Sequence, residues 1–404
     1  MPKMNTIPHA PTSKPHWLTS ERVNVYSWIF LVIFTIFTGS FIYESFISTT
    51  AKDPRPDRDF ITYYAAAELA EQGRVTDAYN LEKMHAAEKA VWAKSEKYAW
   101  FYPPTFHALI KPLAALDYKP AFTLFMSITF LFYVLAVKVL ARPHAVFLPA
   151  AAFPAVLVNM IYGQNAFLTA GLVILVFANL YPRPVLSGIL IGMLAIKPQM
   201  AVLFPLLLIC GRHWHAFIAA AITSILVCMV STWSIGIEAW PAFFNSLSEA
   251  RGYLEVGMLR WSQMISIFAN VKQLGGSTEL AYGLHMAWAG ILLILAVVTW
   301  LRTQDLALRA TTLVIATLHF SPYMYDYELV WIALPLILLA IRGIQYGWLR
   351  YERELLLMVW LFPFIDLTFS KVLSVNLFFL VSSALATIVV LHVKHATVRT
   401  AKLS

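Results

Sequence analysis

Apolar residues in this chain gather into long, nearly uninterrupted runs. They show neither the alternation of a half-buried strand nor the one-sided stripe of a surface helix. The runs fall at about 23–47, 119–141, 144–160, 165–181, 185–196, 198–211, 214–235, 279–301, 306–321, 328–343, 354–369 and 373–394. Crossing the hydrocarbon core takes about 20 apolar residues, with about 17 as the low end. The pattern predicts an all-α polytopic membrane protein, a bundle of about 10–12 membrane helices. Runs 185–196 and 198–211 are too short to cross singly, and they meet at Lys197-Pro198. That junction predicts a broken or hairpin pair with a charge at its apex. Irregular backbone at such depth is tolerated only where protein or a water-filled cavity surrounds it, so the break points at a site.

Hydrophobic residues make up 59% of the chain and charged residues 13%, against about 45–50% and about 25% in soluble domains. This excludes a soluble cytosolic globule. The formal net charge of +8 would suit a nucleic acid only if gathered into a patch. Its lysines and arginines instead stand singly at the ends of apolar runs, so the expected partner is the lipid bilayer and no nucleic acid. Cys210 and Cys228 both lie inside apolar runs and fit neither a disulfide framework nor a zinc spacing. The Pro-rich N-terminal stretch lacks a small-residue cleavage site, so 23–47 is expected as a retained span.

Basic residues in short connections mark the cytoplasmic side. With the N-terminus cytoplasmic, the inside turns hold Arg142, Arg183, Arg212, Arg302, Arg309, Arg342, Arg350 and Arg353, and the short outside turns little beyond Lys197 and Lys371. The expected layout is a cytoplasmic tail at 1–22, one membrane domain at 23–394 and a cytoplasmic tail at 395–404. Two long connections, 48–118 and 236–278, then face outward. The first predicts amphipathic helices near 60–72 and 78–97 and closes on Trp100-Phe101-Tyr102-Pro103-Pro104.

Candidate chemistry collects on that outer face. Asp57-Arg58-Asp59 follows the first span, and charges beside a bilayer are costly and usually functional. Asp59 precedes an alanine-rich helix expected to end at Gly73, which suits an N-cap with glycine past the far end. The same carboxylate suits a general base, and the two roles are compatible. Asp57 reads as plain loop charge or an orienter. Lys197 either snorkels to the interface or holds a phosphate. Arg251 and Arg260 in the second connection compete for that phosphate, with the bidentate geometry of arginine. Ser321 to Glu328 heads a later outer span, where Asp326 caps a helix or serves the site and tyrosines can stack on a sugar. Gly163-Gln164-Asn165 is a polar tip, either a plain turn or part of the site. His213 and His215 fall at the opposite end, so no metal site shared with Asp57 and Asp59 is expected.

Taken together, these segments resemble glycosyltransferase family 87, polyprenol-phosphate-mannose-dependent mannosyltransferases of the membrane-embedded GT-C superfamily. The resemblance rests on Asp59-Phe60 with Tyr63-Tyr64 and Ala66, on Tyr102-Pro103-Pro104, and on Gly163-Gln164-Asn165. It continues through Gly188 to Gln199 and Ser321 to Leu329, in the expected order. Two positions depart from the family pattern: Ser262-Gln263-Met264 stands where Asn-Gln-Ser is common, and Tyr323 where a histidine often follows Ser-Pro. The resemblance implies a GT-C-like bundle with a long helical first outer loop, in a bacterial inner membrane. It implies Asp59 as base, deprotonating an acceptor hydroxyl on a glycan or glycolipid. That hydroxyl attacks the anomeric carbon of a polyprenyl-phosphate sugar with inversion, so a β-linked mannosyl donor gives an α-mannoside. Lys197, Arg260 and Arg251 are the donor-phosphate candidates. Arg58, Tyr63, Tyr102, Gln164, Asn165, Gln263, Tyr325 and Asp326 are the substrate-binding candidates, with no metal and no cofactor.

The competing classes are a secondary transporter or lipid flippase and a non-enzymatic partner in envelope assembly. A transporter is often built from inverted repeats around a midplane site, whereas here the charge is lopsided and no charged pair is expected in mid-membrane. Asp57-Arg58-Asp59 also matches the short Asp-X-Asp pattern of nucleotide-sugar enzymes, yet no glycine-rich phosphate loop accompanies it.

Overall fold

The computed structural model describes residues 16–43, 59–142, 146–373 and 375–401. Its regular elements are helices, with one isolated antiparallel bridge between Met264 and Tyr325. α1 (Ser20–Ile42) stands first, and the first long connection folds into α2 (Phe60–Glu71), α3 (Leu81–Val91) and α4 (Pro104–Ile110). Then come α5 (Tyr118–Ala141), α6 (Phe147–Ala151), α7 (Ala155–Tyr162), α8 (Ala166–Asn179), α9 (Pro184–Met193), α10 (Pro198–Ala201) and α11 (Phe204–Cys210). α12 (Trp214–Ile235) leads into α13 (Ala239–Glu255) and α14 (Ile267–Gln273) of the second connection. α15 (Thr278–Arg302), α16 (Leu306–Phe320), α17 (Ala333–Tyr346), α18 (Glu352–Leu373) and α19 (Phe378–Ala401) complete the order.

Among the described residues, five segments are long and apolar enough to cross a membrane: Ser20–Ser40, Tyr118–Ala141, Trp214–Ile235, Thr278–Arg302 and Asp326–Tyr346. Shorter apolar helices pack among them, including Pro184–Ile196 and Pro198–Cys210. The protein is an all-α polytopic membrane protein. The short pair is a hairpin. A Cβ at Gly188 would collide with Ala216, and one at Gly192 with Thr223, so α9 lies close against α12 and runs in the same direction. α11 runs back the opposite way, leaving Lys197 at the turn, under α4, where Thr105 donates to the Ala195 carbonyl at 2.7 Å.

The first long connection differs from expectation in two ways. α2 is not amphipathic: Phe60 to Ala67, Leu69 and Ala70 are all buried, so the helix is enclosed by protein, as an all-round apolar helix must be. Phe60 packs edge-on against Tyr118 and Phe122 at 5.6 and 5.3 Å, and Tyr63 against Phe106 at 4.9 Å. Each fully buried aromatic of this kind stabilises the fold by about 1.5–3 kcal/mol. The helix expected near 78–97 is only Leu81–Val91, capped at its start by Asn80. Residues after Trp92 instead run irregularly to Pro103 along the mouth of a cavity. Gly73 ends α2 as expected, at φ 71° just past the helix.

Candidate active site

A mostly polar cavity of about 320 Å³ opens at the hairpin turn. It is walled by the first connection, the α7–α8 turn, the hairpin, the second connection and the segment before α17. Asp59, Tyr63, Tyr102, Gln164, Lys197, Arg260, Gln263 and Tyr325 all line it. They come from positions far apart in the chain.

Asp59 sits at the N-cap position of α2, yet its side chain makes no capping hydrogen bond. Its Oδ2 accepts instead from Gln164 Nε2 at 2.8 Å. Tyr63 donates to the Gln164 carbonyl, and Tyr102 lies 3.0 Å from the same oxygen and 2.7 Å from the Tyr63 hydroxyl. Two phenols on the carbonyl side leave the amide NH₂ facing Asp59. Burial pushes the Tyr63 phenol well above its usual range, with neighbouring Tyr102 adding to the effect. Burial raises Tyr102 as well, against the opposing pull of Lys197. Both stay neutral donors. The Gly163 turn, at φ 67°, aims Gln164 at Asp59 and Asn165 at Lys197, so it is both a turn and a part of the site.

Lys197 does not snorkel. It is 4% exposed, paired with Glu328, and donates to Asn165 Oδ1 at 3.0 Å. Its ammonium lies 5.6 Å from the Tyr102 ring centre and 5.3 Å from that of Tyr327. Lys197 is thus half of a charged pair whose partner the sequence did not single out. The pair lies at the hairpin turn and the head of Asp326–Tyr346, on the cavity floor. Because Glu328 already meets the lysine charge, a phosphate there would compete with a carboxylate. Arg260 crosses the mouth to pair with Glu96, both of them well exposed and both lining the cavity.

The remaining candidates divide. Gln263 and Tyr325 reach the cavity, and Tyr325 stacks on Tyr327 with ring centres 5.4 Å apart. The Met264–Tyr325 bridge and the Ile265 N–H donating to the Met324 carbonyl at 2.9 Å tie the second connection to this wall. Asp326 is buried behind the cavity, where the Tyr162 hydroxyl reaches its Oδ2 at 3.4 Å. Arg251 is not brought in: it pairs with Glu255 at 2.8 Å and lies over Tyr282, away from the cavity. Arg58 and Asp57 fall outside the described residues. Sequence reasoning missed Glu328, Glu96 and Tyr162. The signal for Glu328 was a lone carboxylate heading one apolar run while a lone lysine broke another, since buried charges in membranes pair. Among the described residues no three His, Cys, Asp or Glu side chains gather as metal ligands.

Residues 100–322 match the family described as glycosyltransferase family 87, more than half of the chain. The chain belongs to glycosyltransferase family 87. The matched region holds Tyr102, Gln164, the Lys197 hairpin and Arg260, while Asp59, Tyr325 and Glu328 lie beyond its ends. No curated protein matches the chain, and no solved structure does. The protein is therefore a membrane-embedded glycosyltransferase.

One buried carboxyl of this glycosyltransferase stiffens the cavity wall from behind. Glu88 on α3 takes the Thr62 hydroxyl at 3.4 Å and the Tyr98 N–H at 3.3 Å, and His85 Nδ1 stands 3.4 Å away. Thr62 and Tyr98 both line the cavity. Burial carries the Glu88 carboxyl from its usual 4.5 up to about 8. The folded state therefore binds the extra proton, and its stability falls as pH rises from about 4.5 through about 8. Hydrogen exchange along α2 should be faster at pH 9 than at pH 6 after correction for intrinsic rates. Glu88→Gln should flatten that difference, and an unchanged pH response in the variant would assign it elsewhere.

Proposed function

We propose that the enzyme moves a sugar, mannose in the first instance, from a polyprenyl-phosphate donor to an extracytoplasmic glycan or glycolipid hydroxyl, with inversion. The observation that carries this reading is the Asp59 carboxylate, turned away from its helix and held by Gln164, in a cavity that also contains Lys197 and Arg260. A hydroxyl is a weak nucleophile, and a positioned carboxylate that takes its proton contributes about 10²–10⁴-fold. Negative charge develops on the departing lipid phosphate. A cation facing that oxygen stabilises it more in the transition state than in the ground state. Arg260 takes the phosphate by exchanging it for Glu96, and Lys197, fixed by Glu328, supplies field without direct contact. Tyr325, Tyr327 and Tyr102 offer ring faces and hydroxyls to the sugar. The GT-C architecture, the bacterial inner membrane and the outward-facing site belong to the same proposal.

A lipid donor suits a site at a membrane surface, because its isoprenoid tail partitions into the bilayer at ~0.8 kcal/mol per buried CH₂. Purified enzyme in proteoliposomes should transfer sugar from polyprenyl-phosphate-mannose, with chelator present. Robust transfer from GDP-mannose without a lipid intermediate would sink the mechanism. Accumulation of lipid inside vesicles without transfer would favour the flippase class.

The orientation has its own check. Ala93 and Ser248 are exposed on the two long connections. Cysteines placed there, with Cys210→Ser and Cys228→Ser, should react with an impermeant maleimide on intact spheroplasts. Labelling only after lysis would put the cavity on the cytoplasmic side.

A further inference from the structure

A second cavity lies at the other end of the segment Asp326–Tyr346, away from the active site. Its volume is about 570 Å³, within the ~300–1,000 Å³ usual for ligand sites. α1 forms one wall, α17 and α18 the other, and α6 the back. It exists because α1 and the residues just before it touch α18 at two levels and stand off between them. At the upper level Phe30 meets Trp360 edge-on at 4.8 Å and Phe364 at 5.8 Å. At the lower level His16 bonds Glu354 at 3.0 Å and Arg353 reaches the Leu18 carbonyl at 3.4 Å.

The groove is built like one half of a bilayer. From Ser20 to Phe30 the helix rises ~15 Å, about half of the ~30 Å hydrocarbon core. Its long walls are apolar, with Val23, Ala333, Leu336, Ile337, Ala340 and Leu357 among them. His16, Thr19, Ser20 and Arg353 gather at one end. The guanidinium of Arg353 lies 5.0 Å from the Trp348 ring centre, and its Nε–H is buried with no partner among the described residues. A buried, unpartnered charged donor is costly, and arginine's fork matches a phosphate. Arg22 and Arg350 are exposed on the same end. Of the nearby carboxylates, Glu354 gives only its Oε1 to His16 and keeps a buried Oε2 with no hydrogen-bond partner among the described residues, which Arg353, Arg22 and Arg350 outnumber; Glu352 is buried against His392, and Glu21 is exposed.

We propose that this groove binds one phospholipid with an anionic headgroup, from the leaflet opposite the active site. Its phosphate sits on Arg353 and an acyl chain fills the space between α1 and α17. The bound lipid braces α1, which otherwise packs sparsely on the bundle.

The test uses the full-length protein in phosphatidylcholine nanodiscs doped with a phosphatidylglycerol that carries a diazirine on its acyl chain. After illumination, label should concentrate on peptides holding Val23–Ser27 and Leu336–Ile344. Arg353→Gln should lower that labelling by about tenfold, the worth of one charge-assisted hydrogen bond. The same diazirine on phosphatidylcholine, which keeps the phosphate but sets a choline cation near the exposed Arg22 and Arg350, should label the parent more weakly than phosphatidylglycerol does. Ala340→Trp fills the groove without touching the charge and should abolish labelling by either lipid, while circular dichroism confirms that both variants are folded. Equal labelling by the two lipids, or label spread evenly over the apolar surface, would overturn the proposal. Crosslinks placing residues 1–15 or a second copy of the chain in the groove would do the same.

Discussion

Asp59→Asn should lower kcat for sugar transfer by about 10²–10⁴-fold while leaving donor KM and thermal midpoint close to the parent. The expectation rests on what the side chain touches. Asp59 occupies the N-cap position of α2 without a capping hydrogen bond, so removing the charge costs the helix little beyond the carboxylate's attraction to its N-terminus, about 0.3–1 kcal/mol. Asparagine keeps an oxygen for the Gln164 amide, and the contact at 2.8 Å can persist. Only the ability to take a proton is lost. The measurement is single-turnover transfer from polyprenyl-phosphate-mannose in proteoliposomes, with donor binding followed separately. Turnover near the parent rate would move the base elsewhere. A collapsed thermal midpoint would show instead that the carboxylate is structural.

Breaking the Lys197–Glu328 pair should be the most damaging change outside the base. Glu328→Ala leaves a buried ammonium facing Asn165 and two aromatic rings, and Lys197→Ala leaves a buried carboxylate. Truncating one partner of such a pair costs about 3–5 kcal/mol. Each single variant should show a large drop in thermal midpoint and in yield of folded protein. The double variant Lys197→Met with Glu328→Gln should recover much of the stability, because a neutral pair owes a far smaller desolvation penalty than a lone buried charge. Its residual defect should then appear as a raised donor KM, the lysine field being gone. Additive losses in the double-mutant cycle would mean that the two charges do not act as a unit.

Much of this architecture is legible in the order of residues alone. Unbroken apolar runs imply the helical bundle because hydrocarbon leaves the backbone few options. The Lys197-Pro198 junction implies the hairpin because two short halves cannot cross singly. What the pattern does not carry is pairing at long range. Arg251 and Arg260 look alike in sequence, and only folding shows that one is spent on Glu255 while the other reaches the cavity. Asp59 suits a cap and a base equally until its side chain is seen turned toward Gln164. α2 has the alanine-rich look of a loop helix, but its burial depends on Phe122, Phe125 and Phe106 arriving from elsewhere. The groove beside α1 leaves no mark in the periodicity, since it is a gap between helices and belongs to none of them.

The hairpin also bears on how the chain is made. Lys197 and Glu328 are separated by 131 positions. At ~5–20 residues per second, synthesis needs roughly 7–26 s to pass from one to the other. Throughout that interval the tip of two half-length spans carries a positive charge whose counter-charge has not yet left the ribosome. The hairpin must wait shallow in the membrane, or in the insertion machinery, until the later segment arrives. Its final seating is thus a late event, and the polypeptide up to α16 is not a self-sufficient folding unit. Maturation of this enzyme is gated by the last fifth of its own translation.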